Sequence, residues 1–90
     1  MDNIGCKVIV SGHVQGVGFR YYTSQQANHF GVTGHAENLY NGNVEVFIYG
    51  RRTAVTNMLQ WLNKGPASAQ VKEIKVTTVP YEEVKGFRSY

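Results

Sequence analysis

The sequence predicts an α+β sandwich, in which two helices cover one face of a mostly antiparallel sheet. One observation is that apolar residues follow a period of two in some segments and a spacing of three to four in others, as strands and helices require. Another is that the chain has 90 residues, of which 42% are hydrophobic, enough for one modest core. The predicted order is β-α-β-β-α-β with a short C-terminal strand, which is typical of a ferredoxin-like sandwich.

The first half of the chain begins with a predicted strand and helix. Residues 5–12 form a short apolar and β-branched run, which favours a strand. A helix is predicted from Phe19 to Phe30, because apolar residues recur there at helical spacing and Gly31 can end it. We expect its buried face to hold Phe19, Tyr22, Gln26 or Ala27, and Phe30.

Two further strands are predicted on either side of the turn signal Asn41-Gly42, over residues 32–40 and 43–49. Alternation along the second of them predicts a buried stripe that starts at Val44. A two-residue turn pairs Asn38 with Glu45, so Asn38 is expected on the face opposite that stripe, and His35 on the same face as the stripe.

The second half adds a helix and two strands. The helix is predicted over residues 53–64, with Thr53 as N-cap and Gly65-Pro66 as its end. Its buried stripe is expected to hold Val55, Met58, Leu59 and Leu62. A strand follows over residues 71–79, and a short edge strand is predicted within residues 84–90.

Composition excludes several classes of protein. No apolar stretch approaches the roughly 18 residues of a membrane span, and the N-terminal residues lack the basic and apolar pattern of a secretory signal. The single cysteine, Cys6, excludes an internal disulfide and a CxxC metal or redox site, and we expect it to be packed rather than reactive. The net charge is +3, but Arg20 is the only Lys or Arg between residues 8 and 50. That spacing does not form the basic stripe of a nucleic-acid-binding surface.

A glycine-rich loop joins the first strand to the first helix and contains Gly12, Gly16 and Gly18. Glycine allows positive φ angles and close approach to a ligand, and successive amides in such a turn can form an anion nest. The helix N-terminus that follows adds free N–H groups. Neither a Walker loop nor the dinucleotide fingerprint fits this spacing. The loop predicts a site for a phosphate-sized anion, and a plain flexible turn is the alternative.

Two polar residues fit such a site. Arg20 lies in the first turn of the helix, where a cation is unfavourable unless an anion binds beside it, and a guanidinium can grip two phosphate oxygens. Asn38 is unusual in a strand, and its amide can hold a water beside an anion. The alternatives are an exposed arginine and a hairpin-end asparagine that bonds to the local backbone.

Two groups of residues fit the signatures of a known family. The first group is Gly12-x-Val14-Gln15-Gly16-Val17-x-Phe19-Arg20. The second is Gly34-His35-Ala36-Glu37-Asn38 with Gly42, Val44 and Gly50. The downstream pattern is fitted by Trp61, Gly65-Pro66, Ala69, Val71, Phe87 and Tyr90. The sequence therefore resembles the acylphosphatases over nearly the whole chain, which implies one acylphosphatase-like domain over residues 1–90 with the ferredoxin-like fold.

The resemblance implies metal-free hydrolysis of acyl phosphates to a carboxylate and inorganic phosphate. It assigns Arg20 and Asn38 as catalytic residues, with Asn38 positioning the attacking water. It assigns the grip on the substrate phosphate to the loop amides and the arginine, over Val14, Gln15, Gly16, Val17, Gly18, Phe19 and Arg20. We expect no cofactor, no metal, no nucleic-acid or membrane partner, and a cytoplasmic monomer that acts on small-molecule acyl phosphates.

The sequence departs from the family pattern at three positions. His35 stands where the family usually has an aromatic residue, and Glu37 where it usually has a basic or neutral one. Ser89 stands where the family often has a basic residue. Strand alternation is expected to point Glu37 away from Asn38. We expect His13 to be an exposed loop residue, His29 to lie in the last turn of the first helix, and Thr23 either to support the loop or to lie on the helix surface.

Two other functions share the predicted fold. In an RNA-recognition domain, a Gly-Phe motif lies on a central strand and stacks on bases, whereas Gly18-Phe19 enters a helix here. The chain could also be a maturation domain like those that accompany carbamoyl-transfer proteins, although 90 residues without a second domain favour a standalone enzyme.

Overall fold

Five strands and two helices form the fold in the computed structural model, which describes residues 2–90. The strands are β1 (Asn3–His13), β2 (Thr33–Asn38), β3 (Val44–Arg51), β4 (Gln70–Val79) and β5 (Phe87–Ser89), and the helices are α1 (Phe19–Phe30) and α2 (Arg52–Lys64). The sheet order is β4-β1-β3-β2-β5, and only the β2–β5 pair is parallel. The predicted ferredoxin-like α+β class is confirmed. Within the described residues, neither helix is long and apolar enough to cross a membrane.

The core lies between the two helices and one face of the sheet. Alternate residues of the central strands point into it, and Val8 of β1 lies directly opposite Val46 of β3, both fully buried. Helix α2 contributes Val55, Met58 and Leu62, as its spacing predicted, while the predicted Leu59 is half-buried against the same core. Each fully buried aliphatic side chain contributes about 1.5–3 kcal/mol. Helices therefore cover one face, and the other face of the sheet remains open.

Helix α1 buries the predicted Phe19 and Ala27, but Thr23 lies in the core where Tyr22 was expected. Its buried residues are Phe19, Thr23 and Ala27, a row with a spacing of four, whereas Tyr22 is 44% exposed. Thr23 can be buried because its hydroxyl donates to the Phe19 carbonyl at 2.7 Å. Thr23, whose hydroxyl bonds within its own helix, therefore occupies the buried position that hydrophobicity alone assigned to Tyr22.

The connection between β2 and β3 also differs from the prediction. The Leu39 amide donates to the Asn43 carbonyl at 2.8 Å and the Gly42 amide donates to the Leu39 carbonyl at 3.2 Å, so the turn has three residues instead of two. A turn of this length needs a left-handed residue at its end, which Gly42 provides with φ of 92°. The pairing is displaced by one residue, and Asn38 lies opposite Val44. Its side chain is therefore on the face that the helices cover.

Helix α2 follows β3 without a loop, so the predicted N-cap at Thr53 is wrong. Arg51 is the N-cap and makes no side-chain cap hydrogen bond. The Arg52 amide instead donates to the Asp2 carbonyl at 3.0 Å, and its guanidinium pairs with the Asp2 carboxylate. That hydrogen bond lowers the pKa of Asp2. The free amide of the helix start is thus satisfied by the beginning of the chain.

Candidate anion-binding site

Residues 14–18, here called the cradle loop, connect β1 to α1. Gly16 and Gly18 adopt the left-handed conformation, with φ of 76° and 77°. This conformation costs an L-residue about 1–2 kcal/mol, and glycine avoids that cost. The two glycines therefore let the main chain curl immediately before the first turn of α1.

Anchors outside the loop hold it in place. Val14 and Phe19 are each only 1% exposed, and the Phe19 ring lies 6.1 Å from the ring of Trp61. On the α2–β4 side, the Ser68 hydroxyl donates to the Val17 carbonyl at 2.7 Å. The side chains at both ends of the loop are thus buried in the core, so its shape is fixed by packing.

The side chain of Gln15 connects the cradle loop to the β2–β3 turn. Its Nε2 donates to the carbonyls of Leu39 and Asn43, both at 2.8 Å. Because Leu39 directly follows Asn38, these bonds bring the loop against the part of the sheet that carries Asn38. The main-chain amide of Gln15 was predicted to bind an anion. Its side chain makes a different contact, with the β2–β3 turn.

The main-chain amides of the loop point to no acceptor in the described part of the chain. Within residues 2–90, no amide from Gln15 to Arg20 donates a hydrogen bond. The N-cap, Gly18, offers no side-chain cap, and the first turn of α1 has no acidic residue that would neutralise the helix dipole. Free N–H groups and the positive end of a helix together favour an anion.

Arg20 reaches from α1 toward the edge of the sheet. Its guanidinium donates to the main-chain oxygen of Tyr90, and the Tyr90 amide donates to the Ala36 carbonyl of β2 at 2.8 Å. The Ser89 hydroxyl donates to the Arg20 carbonyl at 3.3 Å. These contacts hold Arg20 beside the last residues of β2, which end at Asn38.

Asn38 carries an unsatisfied polar atom. Its Oδ1 is buried and has no hydrogen-bond partner among the described residues. A buried amide oxygen without a partner costs about 1–3 kcal/mol in a folded protein. The corrected register places this side chain on the same sheet face as α1 and Arg20.

Other polar residues that the sequence singled out lie outside this arrangement. His35 lies opposite Phe47 on the open face and stacks on its ring at 4.9 Å, so its predicted position on the Val44 face is wrong. Glu37 lies opposite Glu45 and is exposed, which points its carboxylate away from Asn38, as alternation predicted.

The structure also places the other residues that the sequence singled out. His13 is exposed, and His29 lies in the last turn of α1, both as predicted. Thr23 is buried, which excludes the helix-surface alternative. Cys6 is packed in the core, and burial raises the pKa of its thiol. Within residues 2–90, no group of three His, Cys, Asp or Glu side chains could hold a metal ion.

Comparison with known proteins identifies a family whose model matches nearly the whole chain. The family model described as Acylphosphatase matches residues 6–89. A protein named acylphosphatase from Psychromonas ingrahamii is 55% identical over 87 residues, which cover 97% of both chains.

Solved structures agree with this comparison. A structure of an acylphosphatase from Coxiella burnetii superposes with a TM-score of 0.94 at 32% identity, over 99% of this chain and 94% of that one. Full-length HypF superposes with a TM-score of 0.90 at 22% identity, over 99% of this chain and 12% of that protein. The second likeness shows the shared fold alone.

Proposed function

This chain belongs to the acylphosphatase family, and from that premise we propose that it hydrolyses the carboxyl–phosphate bond of small acyl phosphates, giving a carboxylate and inorganic phosphate. The observation that most supports the proposal is the run of amides from Gln15 to Arg20 at the N-terminus of α1, which donate to no other group within residues 2–90. A phosphoryl group carries the charge and size that such a nest binds.

The phosphate grip is assigned to the loop amides from Val14 to Arg20 and to the Arg20 guanidinium. The hydrogen bond from Arg20 to Tyr90 uses one terminal nitrogen, so the other N–H groups can donate to phosphate oxygens. Phosphoryl transfer has a loose transition state with charge spread over the equatorial oxygens. Fixed donors around those oxygens therefore lower the barrier directly.

The attacking water is assigned to Asn38. Its buried Oδ1 lacks a partner in the protein and can accept a hydrogen bond from water. As the water oxygen bonds to phosphorus, the bond from phosphorus to the acyl oxygen breaks. The proton of the water passes to a phosphate oxygen, so no separate protein base is required.

Departure of the acyl group needs little help. A carboxylate is a weak base and leaves without a proton from an acid, which makes a metal or general acid dispensable in the proposed reaction. Glu37 does not oppose this chemistry, since its exposed carboxylate is on the open face of the sheet.

The proposal also covers the domain organisation, the location and the partners of the protein. Residues 1–90 act as one domain, in the cytoplasm, as a monomer and without a nucleic-acid partner. The last point is supported by Phe19, which is 1% exposed at the start of α1 and is not available for stacking on bases.

The test is hydrolysis of acetyl phosphate and benzoyl phosphate in excess EDTA, with the wild type and Arg20→Ala assayed side by side. We expect activity in the wild type and a loss of turnover of at least ~100-fold in the variant, as for removal of an oxyanion-stabilising donor. Near-normal turnover in Arg20→Ala would contradict its role. Loss of wild-type activity in EDTA would contradict the metal-free reaction.

A further inference from the structure

Gln15 is the residue whose side chain joins the two halves of the candidate site. Its two Nε2 protons go to the carbonyls of Leu39 and Asn43, each at 2.8 Å, across 24 and 28 residues of sequence. Both bonds are partly buried, so water competes for them less than at the surface.

The turn that receives these bonds is already closed without them. The Leu39 carbonyl accepts the Gly42 amide, and the Asn43 carbonyl accepts the Leu39 amide. A carbonyl oxygen has two lone pairs, so Gln15 uses the second acceptor position of each. The side chain therefore adds little to the internal structure of the turn. What it determines is how the turn sits relative to the cradle loop.

We propose that Gln15 is a positioning residue, whose side chain sets the place of the Asn38 amide over the cradle loop. Leu39 is the next residue after Asn38, so a carbonyl fixed at Leu39 fixes the end of β2. The inference rests on the proposed function, in which Asn38 holds the attacking water. A misplacement of about 1 Å in such a group can cost up to about 100-fold in rate.

A competing role for the same bonds is to brace the cradle loop. The two roles predict different kinetics. A loop that has lost its brace binds phosphate poorly, which raises KM and the inhibition constant of inorganic phosphate. A displaced Asn38 instead lowers kcat and leaves phosphate binding intact.

The first experiment compares Gln15→Met with Gln60→Met. Methionine keeps the length of glutamine without its donors, and Gln60 is exposed on α2. We expect Gln15→Met to lower kcat about tenfold, while KM and the phosphate inhibition constant change by less than about threefold. Gln60→Met should match the wild type. A higher KM and a weaker phosphate inhibition with unchanged kcat would overturn the inference.

A double variant tests whether the effect passes through Asn38. If it does, Gln15→Met/Asn38→Ala should be no slower than Asn38→Ala alone, because the positioned group is already absent. Fully multiplicative losses would overturn the inference.

A pH profile of Gln15→Glu is a third test of the inference. An ionised carboxylate has no donor for the two carbonyls, whereas the protonated acid can donate to one of them. The ratio of its kcat to that of the wild type should therefore rise as the pH falls through the pKa of the introduced carboxyl, which the two facing carbonyl oxygens raise above the ordinary value of glutamate. A flat ratio would count against the inference.

A readout without turnover separates this inference from the proposed function. In amide NMR spectra, Gln15→Met should shift the side-chain NH₂ signals of Asn38, and Gln60→Met should not. Unchanged Asn38 signals would overturn the positioning role whatever the substrate is. Shifted signals in a protein that hydrolyses no acyl phosphate would support the placement of Asn38 by Gln15 and overturn the proposed function alone.

Discussion

The cradle loop and the β2–β3 turn meet at the candidate site and are built in opposite ways. In the cradle loop, the residues at both ends are anchored by their side chains, and the amides from Gln15 to Arg20 donate to nothing within residues 2–90. In the turn, the main chain is satisfied by its own hydrogen bonds, and beside it the side-chain oxygen of Asn38 has no partner.

The difference explains how so small a fold can hold a polar site. A backbone nest needs only curled main chain, which Gly16 and Gly18 allow, so it does not require a deep chamber. The single side-chain group needs a rigid support, which the paired strands β2 and β3 supply. In the proposed reaction, one region binds the phosphate and the other places the water.

Between the glycines of the cradle loop and of the helix end, the larger effect on activity is expected from changing the cradle backbone. Gly16 and Gly31 have φ of 76° and 78°, and an added Cβ meets no atom within 4 Å at either position. Alanine should destabilise the protein by about 1–2 kcal/mol in both cases. Only Gly16→Ala should lower kcat/KM, by about tenfold or more, because it restrains the amides that receive the phosphate. Equal kcat/KM values in Gly16→Ala and Gly31→Ala would show that the cradle backbone has no special part in activity.

A smaller effect is expected from Ser68→Ala, which removes the hydrogen bond to the Val17 carbonyl. The bond is exposed, so water can replace it, and KM should rise by no more than about threefold. Ser24→Ala is the matched control, since its hydroxyl makes an equally short bond, 2.7 Å, to the Tyr21 carbonyl on the surface of α1. A loss in Ser68→Ala as large as that in Gly16→Ala would mean that the Ser68 hydrogen bond, and not the packing of Val14 and Phe19, fixes the shape of the loop.

Local patterns in the sequence were sufficient to predict the order of the elements and the glycine-rich loop. The helix end at Gly31 and the buried stripe of α2 follow from short-range spacing, and the structure confirms them. The position of Arg20 in the first turn of α1 could also be predicted from the sequence, because it depends only on where that helix begins.

The placement of Asn38 could not be predicted in this way. A turn of three residues instead of two moved it from the open face to the helix-covered face, since a displacement of one residue inverts every side chain of a strand. The bonds from Gln15 and Ser68 to distant carbonyls also depend on tertiary packing. No local pattern signals a side chain that donates to a turn 24 residues away.

The most direct test of the division between the two regions is a pair of measurements on Asn38→Ala, its kcat with benzoyl phosphate and its inhibition constant for inorganic phosphate. We expect kcat to fall by about 100-fold or more, as for the loss of a positioned donor in an active site, with phosphate inhibition nearly unchanged. If phosphate inhibition weakens while kcat persists, Asn38 belongs to the phosphate grip, and the two regions do not divide the work in this way.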